Sequence, residues 1–161
     1  MRKLIFIFLA VSCLLFSCRP APEYVTISGY AQGGTYTVTF RVPEGAGTER
    51  LQQEIDSILA GIDNSLSGYN KGSLLSRLNA GEDLPLDSIF IRCFERSTEV
   101  WRESEGAFDP SAAPLFDIWG FGFEDGGSPT QEQIARAMGV VGMDKFTLEC
   151  RADGTHLVKA D

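Results

Sequence analysis

Histidine is almost missing from this chain: His156 stands alone, near the C-terminus, in a run that reads as a strand. A Ser-His-Asp mechanism therefore has no local support, and His156 is expected to be structural or solvent-facing. Cysteine is scarce as well, and no Cys-x-x-Cys or Cys/His cluster occurs, so the usual zinc spacings are absent. Of the four cysteines, Cys13 and Cys18 lie near the N-terminus, Cys93 falls on the apolar face of a helical pattern and Cys150 in a strand-like run. Cys93 and Cys150 can pair in an oxidising compartment, but the pattern favours two buried free cysteines. Basic residues are outnumbered, 14 against 22 acidic ones, for a net charge of −8. That balance argues against nucleic acid and against electrostatic binding to anionic lipid. The acids are spread along the chain and form no block, which reads as a solvated surface. No internal repeat or low-complexity run is visible, and no apolar stretch reaches the ~20 residues a membrane-spanning helix needs.

What the N-terminus does have is a short basic start, Met1-Arg2-Lys3, followed by an apolar run from Leu4 to Phe16. That pattern is a secretory signal. Leu15-Phe16-Ser17-Cys18 looks like a bacterial lipobox. The expectation is that residues 1–17 are a lipoprotein signal peptide and that Cys18 becomes the lipid-modified first residue. Ordinary cleavage with Cys18 as a plain cysteine is the competing reading. Loss of Arg2 and Lys3 would make the remainder, residues 18–161, more acidic still. Anchoring would then rest on acyl chains and not on a basic patch. The protein is expected to be exported, lipid-anchored to a bacterial membrane and facing the periplasm.

Residues 18–161 suit one domain or a large piece of one. Arg19 to Glu23 reads as a tether and Tyr24 to Ser28 as a strand. From Thr35, Tyr36, Val38, Phe40 and Val42 alternate with polar residues as a half-buried strand does. Thr48 can cap a helix carrying Leu51, Ile55, Ile58, Leu59 and Ile62 on one stripe. Ser73 caps a short second helix ending at Asn79-Ala80-Gly81. Asp87 opens a third, with Ile89, Phe90, Cys93, Phe94, Val100 and Trp101 inward. Ser128-Pro129-Thr130-Gln131 combines a capping box with proline at the first helical position and predicts a fourth. Phe146 to Cys150 and Thr155 to Lys159, around Asp153-Gly154, read as a hairpin. Strands, helices, then strands define an α+β fold.

The most informative stretch runs from Glu105 to Gly122. It is too rich in glycine, proline and small residues to continue a helix, and too apolar for a solvated loop. Phe116, Trp119, Phe121 and Phe123 would supply a large buried area, while Ala107, Ala112 and Ala113 admit close approach. A loop of this kind either lines a ligand or fills a core.

The order of residues weighs toward a ligand. Gly106-Ala107-Phe108-Asp109-Pro110, Pro114-Leu115 and Trp119-Gly120-Phe121-Gly122 follow one another here. Upstream stand Ala31-Gln32-Gly33-Gly34-Thr35-Tyr36 and Ser67-Gly68-Tyr69-Asn70-Lys71-Gly72-Ser73, the latter followed by Leu78-Asn79. Together these three ordered motifs closely resemble the family of ApbE-like FAD:protein FMN transferases. The resemblance implies Mg²⁺-dependent transfer of FMN from FAD to a Thr (or Ser) hydroxyl of an acceptor flavoprotein, with release of AMP. It further implies that the acceptor belongs to a membrane redox complex.

By the same resemblance, Tyr69 offers a ring face to the flavin or adenine, its alternative being a core tyrosine under the loop. Ala107, Phe108 and Asp109 align with the dinucleotide-binding loop: Ala107 for close backbone approach, Phe108 as a wall, Asp109 as an acceptor for a ribose or adenine donor. Asp109 can equally cap its own turn. Gln32 takes the place the family usually gives to Met, and Gly34 replaces its first Thr, loosening that turn. Asp117, Glu124 and Asp125 have no ligand spacing and read as loop charges. The family's later Gly-x-x-Lys-Gly segment and Asp/Thr metal ligands do not occur before Asp161. The expectation is an N-terminal part of a longer enzyme, either a fragment or a short gene product, with no catalytic or metal-ligating residue of its own. A non-catalytic flavin-binding lipoprotein is the alternative, and a purely structural lipoprotein a third.

Overall fold

The computed structural model describes residues 24–42, 47–122 and 126–159. The leader 1–17, Cys18, Phe123, Glu124 and Asp125 lie outside them. The expected α+β order is observed: strands β1 (Tyr24–Ala31) and β2 (Gly34–Arg41), then helices α1 (Thr48–Leu66), α2 (Leu74–Asn79), α3 (Ser88–Glu103), α4 (Ala113–Ile118) and α5 (Gln131–Val140). A short 3-10 turn at Met143–Lys145 leads into strands β3 (Phe146–Arg151) and β4 (Gly154–Lys159). The chain forms two compact units, Met1–Asp56 and Ser57–Asp161.

In the first unit, β1 and β2 pair antiparallel, with Ala31 opposite Gly34 and Gly29 opposite Tyr36. The tip is a two-residue turn, Gln32 at φ 52° and Gly33 at φ 77°. Positive φ at both central residues is what a type I′ hairpin demands, because its twist matches that of the strands. Gly34 is both the fourth residue of this turn and the first residue of β2. Ile27 is the buried side chain of this hairpin, whereas Val38 is 37% exposed.

In the second unit, the expected caps are present. Ser73 Oγ accepts from Ser76 N at 3.0 Å, and Asp87 Oδ1 accepts from Phe90 N at 2.8 Å. Ser65 is fully buried and donates to the same Asp87 oxygen at 2.9 Å, which ties the end of α1 to the start of α3. The capping box of α5 is real but sits two residues later than the sequence suggests: Thr130 is the cap and Gln133 its partner. Ser128-x-x-Gln131 and Thr130-x-x-Gln133 match the same motif, and only the latter has its side chains at the helix end. The β3–β4 register, with Arg151 opposite Gly154, puts the turn at Ala152-Asp153.

The buried apolar residues of this unit are Leu86, Phe90, Ala137 and Met143. Leu86 N donates to Thr155 O at 2.7 Å, so the connection between α2 and α3 runs along β4. His156 is 3% exposed. Its Nδ1 lies 2.6 Å from Asp83 Oδ1 and its Nε2 3.2 Å from Asp153 Oδ1. It is structural, one of the two roles expected for it. Arg151 adds an ion pair to Asp83 at 2.6 Å. Hydrogen bonds from His156 and then from Arg151 hold the Asp83 carboxyl below its ordinary value of 3.8.

Several burial expectations are corrected. Cys93 and Cys150 are exposed free thiols, not buried ones. The inward stripe of α3 runs through Phe90, Phe94 and Trp101, and Cys93 stands at its margin. Ile58 is 64% exposed on α1. No helix among the described residues is long and apolar enough to cross a membrane.

Candidate functional site

The five residues expected to contact the dinucleotide fall in both units, Gln32 in the first and Tyr69, Ala107, Phe108 and Asp109 in the second. Each is described in its own unit. Gln32 is exposed at the tip of the β1–β2 hairpin.

Tyr69 lies between α1 and α2 in a loop held by side-chain hydrogen bonds. Ser67 Oγ accepts from Asn70 N at 3.1 Å. Asn70 reaches both ways, its Oδ1 accepting from Gly72 N at 3.0 Å and its Nδ2 donating to Asp63 at 2.9 Å. Ser73, fully buried, donates to Ser67 O at 2.5 Å, and Ser76 donates to the same carbonyl at 3.0 Å. A short polar loop wired in this way cannot collapse inward without leaving buried groups unpaired. Its one aromatic side chain therefore stands outward: Tyr69 is 86% exposed. The core-tyrosine reading is excluded. An exposed ring on a fixed loop fits a planar ring ligand, since stacking then needs no reorganisation.

The segment after α3 is shaped by its backbone. Glu105 N donates to Arg102 O and Gly106 N to Trp101 O, the paired bonds of a Schellman stop, with Glu105 held at φ 53°. Ala107 follows, exposed, and Phe108 is 45% exposed with its N–H on Ser104 Oγ. Asp109 accepts from both Ser111 N and Ser111 Oγ through Oδ1, at 2.9 and 2.6 Å. It caps its own turn, the second of the two roles expected for it. Ser111 Oγ in turn accepts from Gly142 N at 2.7 Å, fixing this turn to the end of α5.

The segment does not continue α3, as expected, but Ala113–Ile118 within it form a separate short helix, α4. Pro114 falls in its first turn, where the missing N–H has no helical partner to lose and the fixed φ suits the helix. A second Schellman stop closes it, with Gly120 N on Asp117 O and Phe121 N on Phe116 O. The aromatics here are not buried as expected: Phe116, Trp119 and Phe121 are 55%, 48% and 79% exposed. With Ala112 and Leu115 they line an open apolar hollow of about 490 Å³. Their burial was read from hydrophobicity alone, which does not distinguish a ring facing a core from one facing an open hollow.

Among the described residues, no group of three His, Cys, Asp or Glu side chains is arranged to hold a metal ion.

The fold is α+β, with an outward Tyr69 on a hydrogen-bonded loop and a glycine-stopped aromatic segment. The sequence profile of the ApbE family matches residues 32–161, and the chain belongs to that family. It is 32% identical to an FAD:protein FMN transferase from Haemophilus influenzae, over 99% of this chain and 49% of the relative. A Vibrio cholerae protein of the same name is 31% identical over 88% of this chain and 44% of its own length. Among solved structures, the flavin transferase ApbE of Vibrio cholerae superposes with a TM-score of 0.75 at 30% identity, covering 86% of this chain and 46% of that one. The apo flavinyl transferase ApbE of Pseudomonas stutzeri gives 0.76 at 30% identity, with coverages of 86% and 45%. The chain thus spans about half the length of these relatives.

Proposed function

We propose that this chain is the N-terminal part of an FAD:protein FMN transferase. The reaction moves FMN from FAD to a Thr or Ser hydroxyl of an acceptor flavoprotein. The hydroxyl oxygen attacks the FMN phosphorus, the phosphorus–oxygen bond to AMP breaks, the hydroxyl proton is lost and AMP leaves. The observation that carries the reading is the outward Tyr69 ring on its hydrogen-bonded loop, in a chain whose relatives bear this name.

In this reading Tyr69 stacks on the isoalloxazine or adenine and Phe108 walls the dinucleotide. Ala107 leaves its backbone approachable, and Gln32 offers an amide to a ring or phosphate edge. Asp109 contributes indirectly, by holding the turn that presents Ala107 and Phe108. Mg²⁺ is part of the proposal through the family resemblance; when bound, it offsets negative charge at a pyrophosphate. Among the described residues no group of three His, Cys, Asp or Glu side chains is arranged to hold it. The acceptor as a subunit of a membrane redox complex, the signal peptide 1–17, the lipid on Cys18 and a periplasmic location belong to the same proposal. An anchored enzyme facing its acceptor's compartment is consistent with that chemistry.

The second reading is flavin binding without transfer. Both readings expect these residues to bind FAD, and one assay tests that binding together with transfer. The chain is incubated with FAD, Mg²⁺ and a Thr-containing acceptor, and covalent flavin fluorescence is sought on a denaturing gel. The account expects FAD binding without a covalent band. A band above the no-enzyme control would assign the metal site to these residues, and failure to bind FAD would refute the flavin reading.

A further inference from the structure

One side-chain cluster in the first unit is not used by any of the contacts above. Tyr36 lies on β2 opposite Gly29, two pairs from the Gln32-Gly33 turn. A methyl group at Gly29 would come within 2.6 Å of the Tyr36 ring, so the ring lies across β1 where only glycine leaves room. The Tyr36 hydroxyl donates to Asp56 Oδ1 at 2.5 Å and accepts from Gln52 Nε2 at 2.6 Å. Gln52 Nε2 also stands 3.2 and 3.1 Å from the two Asp56 oxygens, closing a ring of three partners. Gln52 and Asp56 are four residues apart on α1 and share one face.

A two-stranded hairpin is marginal in water by itself, and a register slip of one residue would turn every side chain to the opposite face. In β1–β2 the polar cross-strand pairs Thr26–Thr39 and Ser28–Thr37 bond only within the hairpin. Tyr36 bonds outside it. We propose that Tyr36, Asp56 and Gln52 form a clamp that fixes the register of the β1–β2 hairpin on the first half of α1 and thereby positions the Gln32 tip for flavin. These are positioning residues, and the role at flavin rests on the function proposed above. The Asp56 carboxylate, through its hydrogen bond first and with desolvation adding to it, holds the Tyr36 phenol above its ordinary 10.0. Asp56 itself is held below 3.8 by the hydrogen bonds from Tyr36 and Gln52.

The test compares the full chain with Tyr36→Phe, Asp56→Ala and Asp56→Asn by amide hydrogen exchange, FAD calorimetry and phenol absorbance. Tyr36→Phe and Asp56→Ala should exchange about tenfold faster at residues 30–35, with β3–β4 unchanged, because only the local unit opens more often. The same two variants should bind FAD about tenfold more weakly, a shift of one decade in Kd. Asp56→Asn still accepts from the phenol and should retain most protection, while one tyrosine titrates at lower pH than in the parent. Unchanged exchange at 30–35 in both Tyr36→Phe and Asp56→Ala overturns the clamp. Faster exchange with unchanged FAD affinity overturns its positioning role. A parent chain that binds no FAD defeats the flavin reading instead, and the exchange data still decide the clamp.

Discussion

Two loops of the second unit reach exposed aromatic side chains by opposite routes. The Tyr69 loop is fixed by side chains: Ser67, Asn70, Ser73 and Ser76 satisfy its backbone groups one by one. The segment around α4 is fixed by backbone geometry, with Schellman stops at Glu105 and Gly120 and a proline in the first helical turn. The difference teaches where each is vulnerable. Removing one hydroxyl or amide should loosen the first loop, whereas the second should tolerate polar changes and fail when a positive φ is denied.

The largest expected effect breaks the first loop. Ser73 is both the α2 cap and a donor to Ser67 O. Ser73→Ala removes a helix cap and one of the two donors to Ser67 O, and should destabilise the chain by about 2 kcal/mol in denaturant titration. The second loop breaks next. Gly120 has φ 77°, and a methyl there would meet the Gly126 backbone at 3.2 Å. Gly120→Ala should cost about 1–2 kcal/mol, since left-handed backbone and contact both oppose it. Gly81 sharpens the point: at φ 89° it has nothing within 4 Å, so Gly81→Ala should cost less, about 1 kcal/mol. Thermal unfolding of the pair measures the contact by difference.

A smaller effect concerns pH and lies outside both loops. Asp83 has its carboxyl held below the ordinary 3.8 by His156 and Arg151. A depressed carboxylate contributes stability that is present above its unfolded value and is lost as pH falls through the folded one. Stability should therefore fall on acidification below about 4, where the unfolded chain takes up the proton first. Asp83→Asn should flatten that part of the profile, which unfolding curves at stepped pH would measure.

What the sequence disclosed follows the same division. Caps at Ser73 and Asp87 were legible because a polar residue followed by an apolar periodicity has one local explanation. Thr130 was displaced by two residues because two overlapping motifs compete there. Helix α4 was hidden by Pro114, which reads as a breaker unless its place in the first turn is known. The exposure of Phe116, Trp119 and Phe121 was illegible, since burial depends on what faces a ring and not on its own hydrophobicity. Tyr36 with Asp56 left no trace, being 20 residues apart in elements of different period. The Tyr69 loop was legible in part: Gly68 and Gly72 marked a turn, but the choice between an outward ring and a core tyrosine rested on the fold, which leaves the ring 86% exposed.

The most direct measurement is FAD calorimetry on Tyr69→Ala beside its unfolding curve. Tyr69 is 86% exposed, so stability should stay within about 0.5 kcal/mol of the parent. FAD affinity should fall by about 1–3 kcal/mol, the scale of aromatic stacking on a base. Unchanged affinity with an intact fold would contradict the account, because the outward ring would then serve something other than flavin.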